Sequence, residues 1–118
     1  MCSDSPKETF GGLTLHEAMA CAKPAIVPRS SALAEWPNGA VEYVEVYEDI
    51  PEVNFSMVNT VQDLPRLDSF IEAAERLYND EKYRRDLGYK AYKLATKSAF
   101  DWSKIAGQFH AILKEVKK

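Results

Sequence analysis

The chain has 118 residues, 46% of them apolar and 11% aromatic, with a formal net charge of −3. That length and composition fit one domain, residues 1–118, with a modest core, and exclude extensive disorder. The acidic balance argues against a general nucleic-acid binder, which is normally basic. Charge is uneven: residues 1–59 carry three Lys/Arg against nine Asp/Glu, and residues 60–118 carry twelve against nine. The basic half has a helical pattern, so its cations, including Lys82, Arg84 and Arg85, read as a solvated face. Two cysteines make no disulfide framework, and Cys21, within an apolar helical stretch, reads as a small buried hydrophobe. The polar start has no apolar core of a leader, and no run approaches 18 apolar residues. The expected location is the cytoplasm, with no transmembrane segment.

In chain order, residues 1–10 read as an irregular lead-in. Residues 13–22 read as a short helix, ended by Lys23-Pro24 because the residue before proline avoids the α region. Residues 25–27 form an apolar run without alternation, the pattern of a parallel strand buried on both faces, and Pro28 closes it. Ser30 to Trp36 has room for one or two helical turns before Pro37-Asn38-Gly39. Residues 41–47 are rich in strand formers, and 53–58 read as a further strand. Asp63 and Pro65 sit where a cap and first turn belong. Leu67, Phe70, Ile71, Ala74, Leu77 and Tyr78 then repeat at the spacing of one helical face. Asn79-Asp80 breaks that helix, Asp80 caps the next, to about Ser98, and Asp101 caps a last helix. Its stripe is Trp102, Ile105, Ala106, Phe109, Ile112, Leu113 and Val116.

The candidate chemistry lies early in the chain. Gly11 and Gly12 let backbone approach a ligand closely, and the amides that follow point out from a helix start and suit an anion. Glu17 lies about one turn in, and helical side chains tilt toward the N-terminus, so its carboxylate hangs near whatever binds there. It repels phosphate but accepts hydrogen bonds from ribose hydroxyls. Glu8, in the preceding loop, can accept from sugar hydroxyls and stabilise positive charge developing at an anomeric carbon. Taken singly, a Gly-Gly pair is a tight turn and each glutamate a surface acid; the combination is what carries weight. His16 lacks the second histidine of a zinc-protease helix, so no metal is expected. His110 reads as packing or surface, and no Walker loop or Cys-x-x-Cys pair occurs.

Residues 8–28, Glu-Thr-Phe-Gly-Gly-Leu-Thr-Leu-His-Glu-Ala-Met-Ala-Cys-Ala-Lys-Pro-Ala-Ile-Val-Pro, resemble the donor-site signature of retaining glycosyltransferases of the GT-B fold. In that family a Glu-x-Phe-Gly-Leu segment leads into a Glu-Ala-Met-Ala helix and an apolar strand. The likeness continues more weakly through Ser31 to Glu35, through Leu77 to Gly88, and through Phe100-Asp101-Trp102. It implies an α/β, partly Rossmann-like fold: the closing half of the nucleotide-sugar domain, with few parallel strands and a helix-rich C-terminal half. It also implies roles. Glu17 would bind the nucleotide ribose, and Gly11, Gly12 and Leu13 would present amides to the diphosphate or sugar, with Phe10 and Thr14 in the same binding segment. Glu8 would hold donor-sugar hydroxyls and be the catalytic residue of the set. No cofactor is implied beyond the nucleoside diphosphate sugar as donor substrate.

Two departures accompany the likeness. Eight residues separate Glu8 from Glu17 where the family has seven, and one of the two glycines absorbs the difference. The acceptor domain, the early strands of the donor domain and the cations that neutralise the leaving diphosphate have no counterpart. The expected activity is therefore retaining hexosyl transfer to an unknown acceptor, incomplete in the isolated chain. The alternatives are a non-catalytic binding or assembly module of the same fold, and a fragment of a sugar-nucleotide epimerase. An open sheet edge and the stripe of the last helix point to a homo-oligomer or a partner chain completing the cleft.

Overall fold

The computed structural model describes residues 12–54 and 60–116. It is a small mixed α/β fold in which a few strands precede a run of helices. Helix α1 (Leu13–Ala20) leads into strand β1 (Ile26–Pro28), a 3₁₀ turn (Ser31–Ala34) and strand β2 (Glu42–Val44). Strands β1 and β2 pair in parallel, Ile26 opposite Glu42 and Pro28 opposite Val44. The backbone then passes Glu45 into β3 (Val46–Asn54), which pairs antiparallel with β4 (Thr60–Pro65) as a separate sheet. Helices α2 (Leu67–Asn79) and α3 (Glu81–Ala95), a 3₁₀ turn (Ser98–Phe100) and α4 (Trp102–Val116) follow.

The parallel pair is covered on both faces, as the unalternating run at 25–27 implies: all three residues of β1 are buried. Side chains alternate along a strand, and partners in register share a face. Ala25, Val27 and Val41 therefore meet Leu15 and Met19 of α1 with Leu33, Ala91 and Ala95, and Tyr43 packs against that cluster. Ile26 and Val44 meet Ala73 and Leu77 of α2 with Leu87 on the other face. Helix α3 contributes to both clusters and so closes the open edge between α1 and α2.

Glu42 enters the second face as a buried carboxylate, 5% exposed. Arg76 of α2 donates to its Oε1, and the Tyr83 hydroxyl of α3 donates to its Oε2 at 2.5 Å. Both oxygens are thus matched before they leave water, which a buried charge requires. That hydrogen bond, with burial second, raises the Tyr83 phenol above its ordinary range.

Helix α1 stops at Ala20, two residues before the expected end. Its terminator is not Pro24 but Ala22, at φ 55. Lys23 N–H donates to the Ala18 carbonyl at 3.0 Å and Ala22 N–H to Met19 at 2.9 Å, the paired closing bonds of a Schellman turn. Alanine stands where glycine is usual. Gly88 of α3 sits directly against this turn: a Cβ there would lie 2.4 Å from the Ala22 carbonyl oxygen. The glycine lets the two antiparallel helices touch. Cys21 is exposed on the capping turn, so its reading as a buried hydrophobe is corrected.

Three further expectations change. Asp63 and Pro65 belong to β4 rather than to a helix start, because β4 finds its partner in β3; the Ser30 hydroxyl donates to Asp63. Helix α2 begins two residues later, with Arg66 as its N-cap and Asp68 in its first turn. Its buried line is Ala73 and Leu77, while Leu67, Ile71 and Tyr78 face outward. Arg84 is no merely solvated cation, since Nη1 donates to the carbonyls of Leu77 (2.8 Å) and Tyr78 (3.2 Å) at the end of α2. The strand expected at 53–58 coincides with the end of β3 at Val53 and Asn54, and its remaining residues lie outside those described. Asp80 and Asp101 cap as expected: Asp80 accepts from the Tyr83 amide at 2.8 Å, and Asp101 from the Ser103 amide at 2.9 Å.

Candidate functional site at the start of helix α1

Gly12 is the N-cap of α1, with φ 66 and ψ 87. An L-residue adopts that left-handed conformation at a cost of roughly 1–2 kcal/mol, so glycine is the natural choice. Its carbonyl accepts from the His16 amide at 3.1 Å, which starts the helix. The cap has no side chain to satisfy the first-turn amides, and no acidic residue occupies the first turn. Among the described residues, therefore, neither the cap nor the first turn neutralises the positive end of the helix, a favourable setting for an anion.

Helical periodicity sorts the rest of α1. Leu15 and Met19 point into the core. Leu13, Thr14 and Glu17 are exposed, with Leu13 75% accessible. Thr14 and Glu17, three apart, and Leu13 and Glu17, four apart, lie on one side of the helix. Leu13, Thr14 and Glu17 are thus gathered on the exposed side of one helix end, while Gly12 itself is buried. Glu8, Phe10 and Gly11 lie outside the described residues.

His16 locks this end of α1 to the rest of the fold. Its Nε2–H donates to the Ala95 carbonyl at 2.9 Å, at the end of α3. Its ring meets Phe100 edge-on at 4.7 Å and Trp36 at 5.5 Å between centroids. Trp36 follows β1 in the chain, so the start of α1 and the segment beyond the C-terminal end of β1 share one edge of the fold. In parallel α/β sheets, ligands sit at that edge. His16 is half-buried, and its role here is packing and positioning.

A polar groove of about 370 Å³ lies elsewhere, between β2 and α2, with Arg29, Tyr43, Glu45, Glu72 and Arg76 among its walls. Its charges are largely committed to one another. Arg29 Nε donates to Glu45 at 2.9 Å and its guanidinium lies 4.2 Å from the Tyr43 ring centre, while Arg76 serves Glu42. Partial burial holds the Tyr43 phenol above its ordinary range, against the opposing pull of Arg29, and its hydroxyl donates to the Leu33 carbonyl at 3.0 Å. A wider, largely acidic groove of about 600 Å³ runs along Glu72, Glu75, Asp80 and Glu81. Neither groove is lined by a residue of α1. Among the described residues no cluster of His, Cys, Asp and Glu has the arrangement of a metal site, and no helix is long and apolar enough to cross a membrane.

Sequence reasoning missed the Glu42–Arg76–Tyr83 network and the His16 cluster. A glutamate inside a strand-forming run at position 42 was the one available signal for the first. For comparison with known proteins, no family model matches the chain and no curated protein is significantly similar to it.

Proposed function

We propose that this chain is a donor-binding element of a retaining glycosyltransferase, holding a nucleoside diphosphate sugar at the start of α1. The observation that carries the reading is the left-handed Gly12 leading into an uncapped helix whose exposed side presents Thr14 and Glu17. In this reading the first-turn amides meet the diphosphate, and Glu17, set back by a turn, accepts from the ribose hydroxyls. Glu8 in the preceding segment holds the transferred sugar. The buried parallel strand that follows at once, and the His16 contacts that fix the helix tip, support a rigid platform for such binding.

A second reading, a binding or assembly module without transferase activity, is favoured by the placement of cations. Charge builds on the leaving diphosphate in the transition state and needs a positive partner. Of the described cations in the first half of the chain, Lys23 follows the far end of α1 and Arg29 is engaged by Glu45, while Lys7 lies outside the described residues. Transfer by this reading requires a free cation beside the diphosphate, which neither Lys23 nor Arg29 provides, whereas binding does not.

Calorimetric titration with UDP, GDP, ADP and their sugar derivatives separates the outcomes. The expected result is saturable binding of one nucleotide series, weakened about tenfold by Glu17→Gln, equivalent to about 1.4 kcal/mol. Binding unchanged in that variant removes the ribose role of Glu17, and no binding at millimolar nucleotide removes the donor reading altogether.

A further inference from the structure

Helix α4 carries an apolar stripe that the described fold leaves open. Trp102 is 81% exposed, Phe109 64%, Ile112 58%, Leu113 61% and Val116 78%. None of its residues is buried, and its main neighbour is the 3₁₀ turn just before it. Residues 102, 105, 109, 112 and 116 are spaced alternately by three and four, the repeat with which helices interlock along a seam.

We propose that α4 pairs with α4 of a second copy of this chain, the two helices running parallel about a two-fold axis. Area is the first argument. Two large aromatics and three aliphatics offer roughly 600 Å² per chain, so facing stripes remove about 1,200 Å² from water, the lower bound of a specific interface. Charge is the second. At 100° per residue, one side of the stripe carries Asp101 and Glu115 with Lys104 further round, and the opposite side carries His110 with Lys114 further round, so a net acidic side stands against a basic one. In a parallel two-fold pair the acidic border of each helix faces the basic border of the other, whereas an antiparallel pair sets acid against acid. Ala106, inside the stripe, permits close approach of the backbones. A contact of this kind is isologous and closes at two copies.

Sedimentation equilibrium from about 1 to about 200 µM tests the assignment. The native chain is expected to dimerise within that range, and Phe109→Asp to weaken association at least about 100-fold, as loss of a central aromatic anchor does. Phe109 is exposed, so circular dichroism of that variant is expected to show the native helix content, which separates lost pairing from lost folding. Glu115→Lys is expected to weaken the dimer several-fold, and Lys114→Glu added to it to recover most of the loss. A native chain that stays monomeric at about 200 µM overturns the proposal, as does a Phe109→Asp variant that associates like the native chain. An affinity indifferent to both charge variants overturns the parallel arrangement.

Discussion

Gly88→Ala inserts one methyl group between α1 and α3. In an isolated helix this change is favourable by about 1 kcal/mol, because alanine has the higher helix propensity and restricts the unfolded chain. Here the new Cβ would lie 2.4 Å from the Ala22 carbonyl oxygen and 3.3 Å from its carbon. Real Cβ atoms do not approach a backbone oxygen so closely, so the helices must separate by about 1 Å or the turn must open. The turn resists, since the Ala22 and Lys23 amides are both bonded back into α1. Separation also loosens the packing of Leu15, Met19, Ala91 and Ala95, all buried in one cluster. Overpacking of this kind costs typically 1–3 kcal/mol, and more against backbone, which exceeds the propensity gain. The expected net effect is a loss of about 1–2 kcal/mol, or a fall in melting temperature of roughly 5–10 °C. Urea denaturation followed by circular dichroism measures it. An alanine variant as stable as the native chain, or more so, would falsify the account of how α1 and α3 meet.

Three other perturbations probe separate parts of the fold. Ala22→Gly relieves the left-handed alanine that ends α1 and is expected to stabilise by about 0.5–1 kcal/mol, after allowing for the greater freedom of glycine in the unfolded chain; a lower urea midpoint contradicts this. Arg76→Met removes one partner of the buried Glu42 carboxylate, and because Arg76 is itself half exposed the expected loss is about 1–2 kcal/mol, smaller than for a fully enclosed pair. Stability unchanged in that variant means Glu42 is satisfied without it. Asp68, bonded to Arg66 and to the Ser69 amide, has its carboxyl lowered to about 2. A folded value below the unfolded one means its contribution is present above about pH 4 and is lost as pH falls toward 2. Carboxyl chemical shifts should titrate near 2 in the native chain, and a midpoint near 4 refutes the Arg66 contact.

Local signals survived from sequence to structure, and long-range ones did not. Asp80 and Asp101 were legible as caps because a cap involves only its own next three residues. The buried strand after Pro24 was legible because it lacks alternation. The β3–β4 hairpin was not legible: its strands mix acids with apolar residues, and pairing between distant segments, not propensity, defines them. The same holds for Glu42, whose partners lie 34 and 41 residues away. Ala22 hid a helix terminator because nothing in the letter alanine announces a left-handed turn. Gly88 reads in sequence as a weak point in α3, whereas in the fold it is the point of contact. At the candidate site, the place of Glu17 about one turn into α1 followed from helical spacing alone.

The central claim, that the start of α1 holds the diphosphate of an activated sugar, is tested most directly by residue-resolved amide shifts during titration with the nucleotides. The account predicts that the largest changes fall on Gly12, Leu13, Thr14 and Leu15, with Glu17 and His16 following. Shifts confined to the groove around Tyr43 and Arg76, or none at millimolar nucleotide, contradict it.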